Sequence, residues 1–153
     1  DPSIYTFIPQ DPPSAADLQR QHAFLAGGKS PDGKEAWLNW VAFVRSSQTP
    51  VGTFQATVPQ EAEASIAYTV LPAFWRQGYA REIASCLIEH IFVTYNIPGI
   101  YAEIDTRNTG SIRLVESLGL SRVATMPNVD FFKGTNSDEY KYAIRREDWR
   151  TQC

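Results

Sequence analysis

From residue 80 onward the apolar positions Ile83, Ala84, Leu87, Ile88, Ile91 and Phe92 recur at intervals of three and four. That spacing places them on one face of an amphipathic helix, which Pro98-Gly99 must end. Upstream, residues 37–45, 51–58 and 64–71 are rich in aromatic and β-branched side chains, with Gly, Pro and Gln in the breaks between them. They predict three strands in an antiparallel meander. In the first, Trp37, Val41 and Phe43 fall on one face and Leu38, Trp40 and Val44 on the other, so this strand is expected to be covered on both sides.

Beyond the helix, Ile100, Ala102 and Ile104 alternate with Tyr101, Glu103 and Asp105, the period of a strand. A short helix is predicted over 108–118, stopped at Gly119, with two further strands over 122–126 and 138–145. At the front, Pro2, Pro9, Pro12 and Pro13 make residues 1–13 read as extended loop, and Ser14-Ala15-Ala16-Asp17 has the spacing of a capping box. A helix should run from there to Gly27-Gly28. Helix, three strands, helix, strand, helix, two strands predicts an α/β (α+β) domain: a mixed, mostly antiparallel sheet flanked by helices, its one parallel pairing within residues 64–106. At 153 residues the chain is expected to form a single domain, 1–153.

Composition removes several functions. The net charge is −3 and no basic run exceeds Arg145-Arg146, so a nucleic-acid partner is not expected. No apolar stretch approaches the roughly 18 residues of a membrane span, and no basic-then-apolar leader opens the chain, so a soluble, cytoplasmic protein is expected. Cys86 and Cys153 form no CxxC pair and His22 and His90 are the only histidines, which argues against a metal site. Cys86, within the helical apolar pattern, reads as core filler.

Chemistry concentrates where the third strand meets the strong helix, Ile66-Ala67-Tyr68-Thr69-Val70-Leu71-Pro72-Ala73-Phe74-Trp75-Arg76-Gln77-Gly78-Tyr79-Ala80. A helix start leaves backbone N–H groups unpaired and carries about half a positive charge, so a strand-loop-helix junction can cradle a diphosphate. Gly78 permits close backbone approach, Ala80 keeps the first turn small, and Arg76 or Arg81 can pair with phosphate.

This segment resembles the GNAT superfamily, in its RimJ/RimL-like branch of N-acetyltransferases, whose pattern is Pro, an aromatic, then Trp-Gly-x-Gly-Tyr-Ala and a helix. Here the pattern is met by Pro72, Phe74, Trp75, Gly78, Tyr79 and Ala80, with Arg76 in place of the common Gly. A second block, Asp105-Thr106-Arg107-Asn108-Thr109-Gly110-Ser111 through Leu118-Gly119-Leu120, is similar to the branch's N-x-x-S…L-G-F, and residues 138–149 are similar to its closing strand and Trp. The resemblance covers roughly residues 1–149 and implies acetyl-CoA as co-substrate. It implies that Thr69, Val70 and Leu71 hold pantetheine through backbone groups, that the loop and first turn of Arg76, Gln77, Gly78, Tyr79, Ala80 and Arg81 bind the diphosphate, and that Asn108 and Ser111 lie near the thioester. Where many members place a Tyr acid this chain has Val115, so return of a proton to the CoA thiolate would fall to Ser111 or water. The family's segment corresponding to residues 1–9 usually follows a first strand and first helix, so both are expected to be lacking here. Either the sequence is a shortened form, or the strand is supplied otherwise, for example by a second copy in a homodimer pairing with the exposed edge.

Amide formation from a thioester requires a neutral amine, a donor at the developing oxyanion and a route to discharge the thiolate. N–H groups near Val70 are candidates for the donor. For the base, Glu103 ranks first, with Asp105 on the same strand face and Glu61 or Glu63 acting through water as alternatives. An α-amine near ~8 is appreciably neutral at pH 7, whereas a Lys or polyamine amine near ~10.4 is not. That favours an α-amine, while the resemblance implies small-molecule amines as well, so the expected acceptor is a primary amine of a protein N-terminus or of a small molecule such as an aminoglycoside, attacking directly in a ternary complex. Plainer readings stand beside these: Asn108 as helix cap, Ser111 as a first-turn residue, Arg76 as surface charge, Glu103 as a solvated strand residue, Trp37 and Trp40 as packing, and His22 as solvated. The competing function is a non-catalytic acyl-CoA-binding or structural module, whereas generic nucleotide binding lacks both the P-loop and the G-x-G-x-x-G pattern.

Overall fold

A computed structural model describes residues 1–151; Cys153 lies outside them. Six strands form one sheet in the order β1-β2-β3-β4-β6-β5, comprising β1 (Glu35–Phe43), β2 (Pro50–Pro59), β3 (Ala64–Val70), β4 (Gly99–Asp105), β5 (Ser121–Phe132) and β6 (Thr135–Arg145). Three α-helices accompany it, α1 (Ala15–Leu25), α2 (Tyr79–Thr94) and α3 (Thr109–Ser117). Only β3 and β4 pair in parallel, as a strand-helix-strand crossover requires.

The alternation along β2, β3 and β4 sorts the core onto one face. Phe54, Ile66, Ala84, Ile88, Ile91, Ala102 and Ile104 meet there, with α2 laid across the sheet and Val115 and Leu118 of α3 fully buried beside it. Arg146 holds the C-terminal end of α2 by donating to the carbonyls of Phe92, Tyr95 and Ile97, groups that the helix itself cannot satisfy. Replacing Arg146 by Met should cost about 2 kcal/mol, because buried carbonyls lose charged donors, and a urea midpoint measures it.

Four expectations need correction. Residues 2–7 form a 3₁₀ helix and not extended loop, since Asp1 caps it by accepting from Ser3 N–H and Pro2 sits in its first turn. β1 is an edge strand covered mainly on one side: Trp40 and Leu38 pack toward the core and Phe24 of α1 touches Trp37, while Val41 and Phe43 are each 53% exposed. Two apolar faces therefore did not mean two covered faces. The last two strands are longer than their apolar pattern, joined through Lys133 and Gly134, both at positive φ as a tight hairpin turn demands. A bulge between Met126 and Asp130 and polar Asn128, Asn136 and Ser137 hide this extension from a period-two reading. Cys86 is half-buried in α2 and is not a fully enclosed core residue.

Candidate active site

β3 and β4 are paired only at Ala64 with Ile100 and Ser65 with Tyr101. Beyond those two pairs the strands part, so the edge of β3 that faces β4 is left without a ladder through Thr69 and Val70. On its other edge β3 stays in register with β2 to Gly52 opposite Val70. The result is a gap in the sheet ladder toward the C-terminal ends of both strands, bordered by backbone groups of the kind a pantetheine amide can use as a sheet would.

At the open end the chain turns sharply into α2. Val70 O accepts from the indole Nε1 of Trp75 at 2.7 Å, Gln77 Nε2 donates to Ala73 O, and Phe74 meets Tyr79 edge-on at 5.3 Å. Arg76 and Gly78 both have positive φ, 59° and 88°. A left-handed residue at 76 gives the physical reason for Gly there in the related pattern, and Arg76 adopts it at a cost of about 1 kcal/mol. Gly78 is the N-cap of α2, and a Cβ built on it would meet nothing within 4 Å. Space therefore lies open beside the Gly78 N-cap, next to the first-turn N–H groups of Tyr79 and Ala80, which lie ahead of the helix's own ladder.

Asn108 and Ser111 lie at the start of α3, shortly after the end of β4. Asn108 caps α3, its Oδ1 accepting from Ser111 N–H at 3.1 Å. The Tyr68 hydroxyl, on β3, donates to Ser111 O at 3.4 Å, so the start of α3 stands next to the end of β3 across the gap. Burial pushes the Tyr68 hydroxyl up to about 12, which keeps it protonated. An aromatic in a strand reads first as packing, which hides the reach of Tyr68 from the sequence, and its ring does stack on Phe54.

The carboxylates separate clearly. Asp105 is buried and fully engaged, accepting from Arg107 N–H, Nε and Nη2 and from Ser137 Oγ. Its hydrogen bonds with Arg107 are the main cause of a carboxyl lowered to about 2, against an opposing push from burial, so it is not a proton acceptor at neutral pH. Glu103 is exposed and lies cross-strand from Lys141. Glu61 and Glu63 lie at the other end of β3, about 20 Å from the loop at the rise of a strand, and Glu63 pairs with Lys141 at 3.6 Å. Glu139, opposite Asp105 on β6, has its carboxyl raised, first by burial and then by Glu103, Asp105 and Asp130. The sequence carried no signal for Glu139 beyond its place in a polar-alternating strand. Val115 is wholly buried against the core, His22 is exposed, and Trp40 packs edge-on against His90.

The Asp105 shift carries a pH prediction. The unfolded carboxyl takes up its proton near the ordinary 3.8 and the folded one near 2, so over that interval the unfolded state binds more protons. Its stabilisation is complete above the unfolded value and disappears as pH falls toward 2. Acid unfolding of Asp105→Asn should therefore show a weaker pH dependence between 4 and 2 than the parent chain, on the order of one proton less taken up.

The family model described as the acetyltransferase (GNAT) domain matches residues 1–121. The chain belongs to that family, which uses acetyl-CoA as co-substrate. Among curated proteins it is 28% identical to the uncharacterized N-acetyltransferase YoaA of Bacillus subtilis over 109 residues, 70% of this chain and 62% of that protein. It is 32% identical to the FsC-acetyl coenzyme A-N(2)-transacetylase of Aspergillus fumigatus over 84 residues, 54% of this chain and 36% of that one. The chain thus spans about three-fifths of the length of the first of these relatives. In fold it is similar to the spermidine N-acetyltransferase of Vibrio cholerae solved with CoA and spermine, with a TM-score of 0.80 at 16% identity, covering 97% of this chain and 85% of that one. It is likewise similar to the ribosomal-protein-S5-alanine acetyltransferase of Vibrio fischeri, TM-score 0.74 at 17% identity, covering 97% and 82%. Among the described residues no helix is long and apolar enough to cross a membrane, and no three His, Cys, Asp or Glu side chains are grouped to hold a metal.

Proposed function

We propose that this chain is a single catalytic domain of the cytoplasm, of the RimJ/RimL-like kind, that transfers the acetyl group of acetyl-CoA to a primary amine. The observation that carries this reading is the parting of β3 from β4 directly before the Arg76–Gly78 turn, which sets an unpaired strand edge beside an open helix start. Pantetheine lies along the end of β3 and the residue after it, Thr69, Val70 and Leu71, with the Val70 N–H on the side away from β2, and the diphosphate takes the turn from Arg76 to Arg81. The amine nitrogen attacks the thioester carbonyl directly, a β3 N–H stabilises the oxyanion, and collapse expels the CoA thiolate, which regains a proton from Ser111 or water. Positioning supplies most of the acceleration.

Glu103 and Glu139 give the acceptor side negative charge, and Glu139, whose carboxyl is raised, serves as the base. Cationic amines suit such a surface, and the fold neighbours named for spermidine and for a protein alanine span the two acceptor classes. CoA release measured over polyamines, aminoglycosides and peptide α-amines tests the reading; release independent of every amine would contradict it. Ser111→Ala should lower kcat about tenfold with little change in acetyl-CoA affinity if its hydroxyl returns the proton, as single-turnover rates would report. A binding-only module is the second reading, favoured by the burial of Val115 where many relatives carry an acid. Acetyl-CoA binding without turnover on the whole panel would select it.

A further inference from the structure

Arg107 does more than neutralise Asp105. Its guanidinium makes a two-toothed pair with the carboxylate, Nε to Oδ1 at 2.9 Å and Nη2 to Oδ2 at 2.6 Å, while its own N–H donates to Oδ1 at 2.8 Å. Ser137 Oγ, on β6, donates to Oδ2 at 2.8 Å from a position that is 1% exposed. So fixed, the guanidinium lies close to two rings: its Cζ is 6.0 Å from the centre of Phe7 and 5.5 Å from that of Phe132. Phe7 ends the N-terminal 3₁₀ helix and Phe132 ends β5. Next to Phe132, Lys133 Nζ donates to Tyr5 O and Ile8 O, joining the hairpin tip to the same N-terminal segment. Two segments more than 120 residues apart in sequence thus meet over one side chain.

That side chain stands immediately before the cap of α3. Asn108 N–H donates to Asp105 O and Thr106 N–H to Asp138 O, both at 2.9 Å, so the turn leading to Asn108 and Ser111 is bonded to the same carboxylate-bearing strand end and to β6. A planar cation held by a carboxylate edge-on presents two faces for aromatic rings, and a lysine ammonium cannot reproduce that arrangement.

We infer that Arg107 is a positioning residue that clamps the 3₁₀ segment at residues 2–7 to the β5–β6 hairpin and so fixes the wall past which the amine reaches the thioester. This rests on the proposed acetyl transfer for its kinetic consequence, but not for the clamp itself. Arg107, Phe7 and Phe132 all lie outside the Arg76–Gly78 turn that holds the diphosphate, so acetyl-CoA affinity is expected to change little.

The test compares the full chain with Arg107→Gln, Arg107→Lys and Phe7→Leu, the last leaving the Asp105 pair and the sheet ladder untouched. Arg107→Gln should raise the acceptor KM about tenfold, with acetyl-CoA Kd within about twofold, the range expected for misplacement without loss of chemistry. Hydrogen exchange should quicken together in residues 2–8 and 128–136, about fivefold or more. Arg107→Lys should behave like Arg107→Gln, and Phe7→Leu should show the same changes at smaller size. Recovery of parental values by Arg107→Lys, loosening of only one segment, or an acetyl-CoA Kd weakened as much as the acceptor KM would each overturn the clamp. A parent chain that transfers no acetyl group would contradict the proposed function, and the exchange comparison alone would then decide for or against the clamp.

Discussion

Gly78→Val should weaken acetyl-CoA binding about a hundredfold while leaving the chain folded. The φ of 88° at this N-cap is a conformation in which a β-branched residue is strained by about 1–2 kcal/mol. Either the variant keeps that backbone under strain, or it relaxes and turns the first N–H groups of α2 away from the ligand. The space a Cβ would enter holds no protein atom within 4 Å, so packing does not suffer, but it adjoins the turn proposed to hold the diphosphate. Losing one charge-assisted bond of about 1.5–3 kcal/mol on top of the strain gives the expected factor. Calorimetric titration reads the affinity and a thermal scan checks that the fold survives. An unchanged Kd would remove the turn from the cofactor site.

Gly52→Ala should cost about 3 kcal/mol or more of stability, for the opposite reason. Gly52 sits on β2 opposite Val70, and an added Cβ would lie 2.1 Å from Thr69 O and 2.9 Å from Val70 Cα. Both are backbone atoms in a paired strand and cannot swing aside. The sheet must open at the very place where the other edge of β3 borders the gap proposed for acetyl-CoA, so acetyl-CoA affinity should fall with stability. Urea unfolding measures the first and titration under folding conditions the second. A midpoint within about 0.3 kcal/mol of the parent would show that the ladder near Val70 is slack.

Much of this was legible in the residues because the relevant signals are local. The three-four spacing from Ile83 to Phe92 marked α2, Ser14 with Asp17 marked the start of α1, and the strand-Gly78-helix junction marked the loop. What escaped depends on pairing across distance. Glu103 and Asp105 share one strand face and look alike in sequence, yet Arg107 and Ser137 remove Asp105 from proton chemistry, and Ser137 is 32 residues away. Tyr68 looked like core until its hydroxyl proved to reach α3. β1 looked doubly covered because its side chains are apolar on both faces, and no local pattern states what lies opposite them.

The central claim is that the gap between β3 and β4, with the turn at Gly78, receives acetyl-CoA. Isothermal titration of the chain with acetyl-CoA, against ATP and desulfo-CoA, tests it most directly. The account predicts a single site of roughly micromolar Kd for acetyl-CoA, retained in large part by desulfo-CoA and absent for ATP, a free energy near −8 kcal/mol. No heat with acetyl-CoA, or equal binding of ATP, would contradict it.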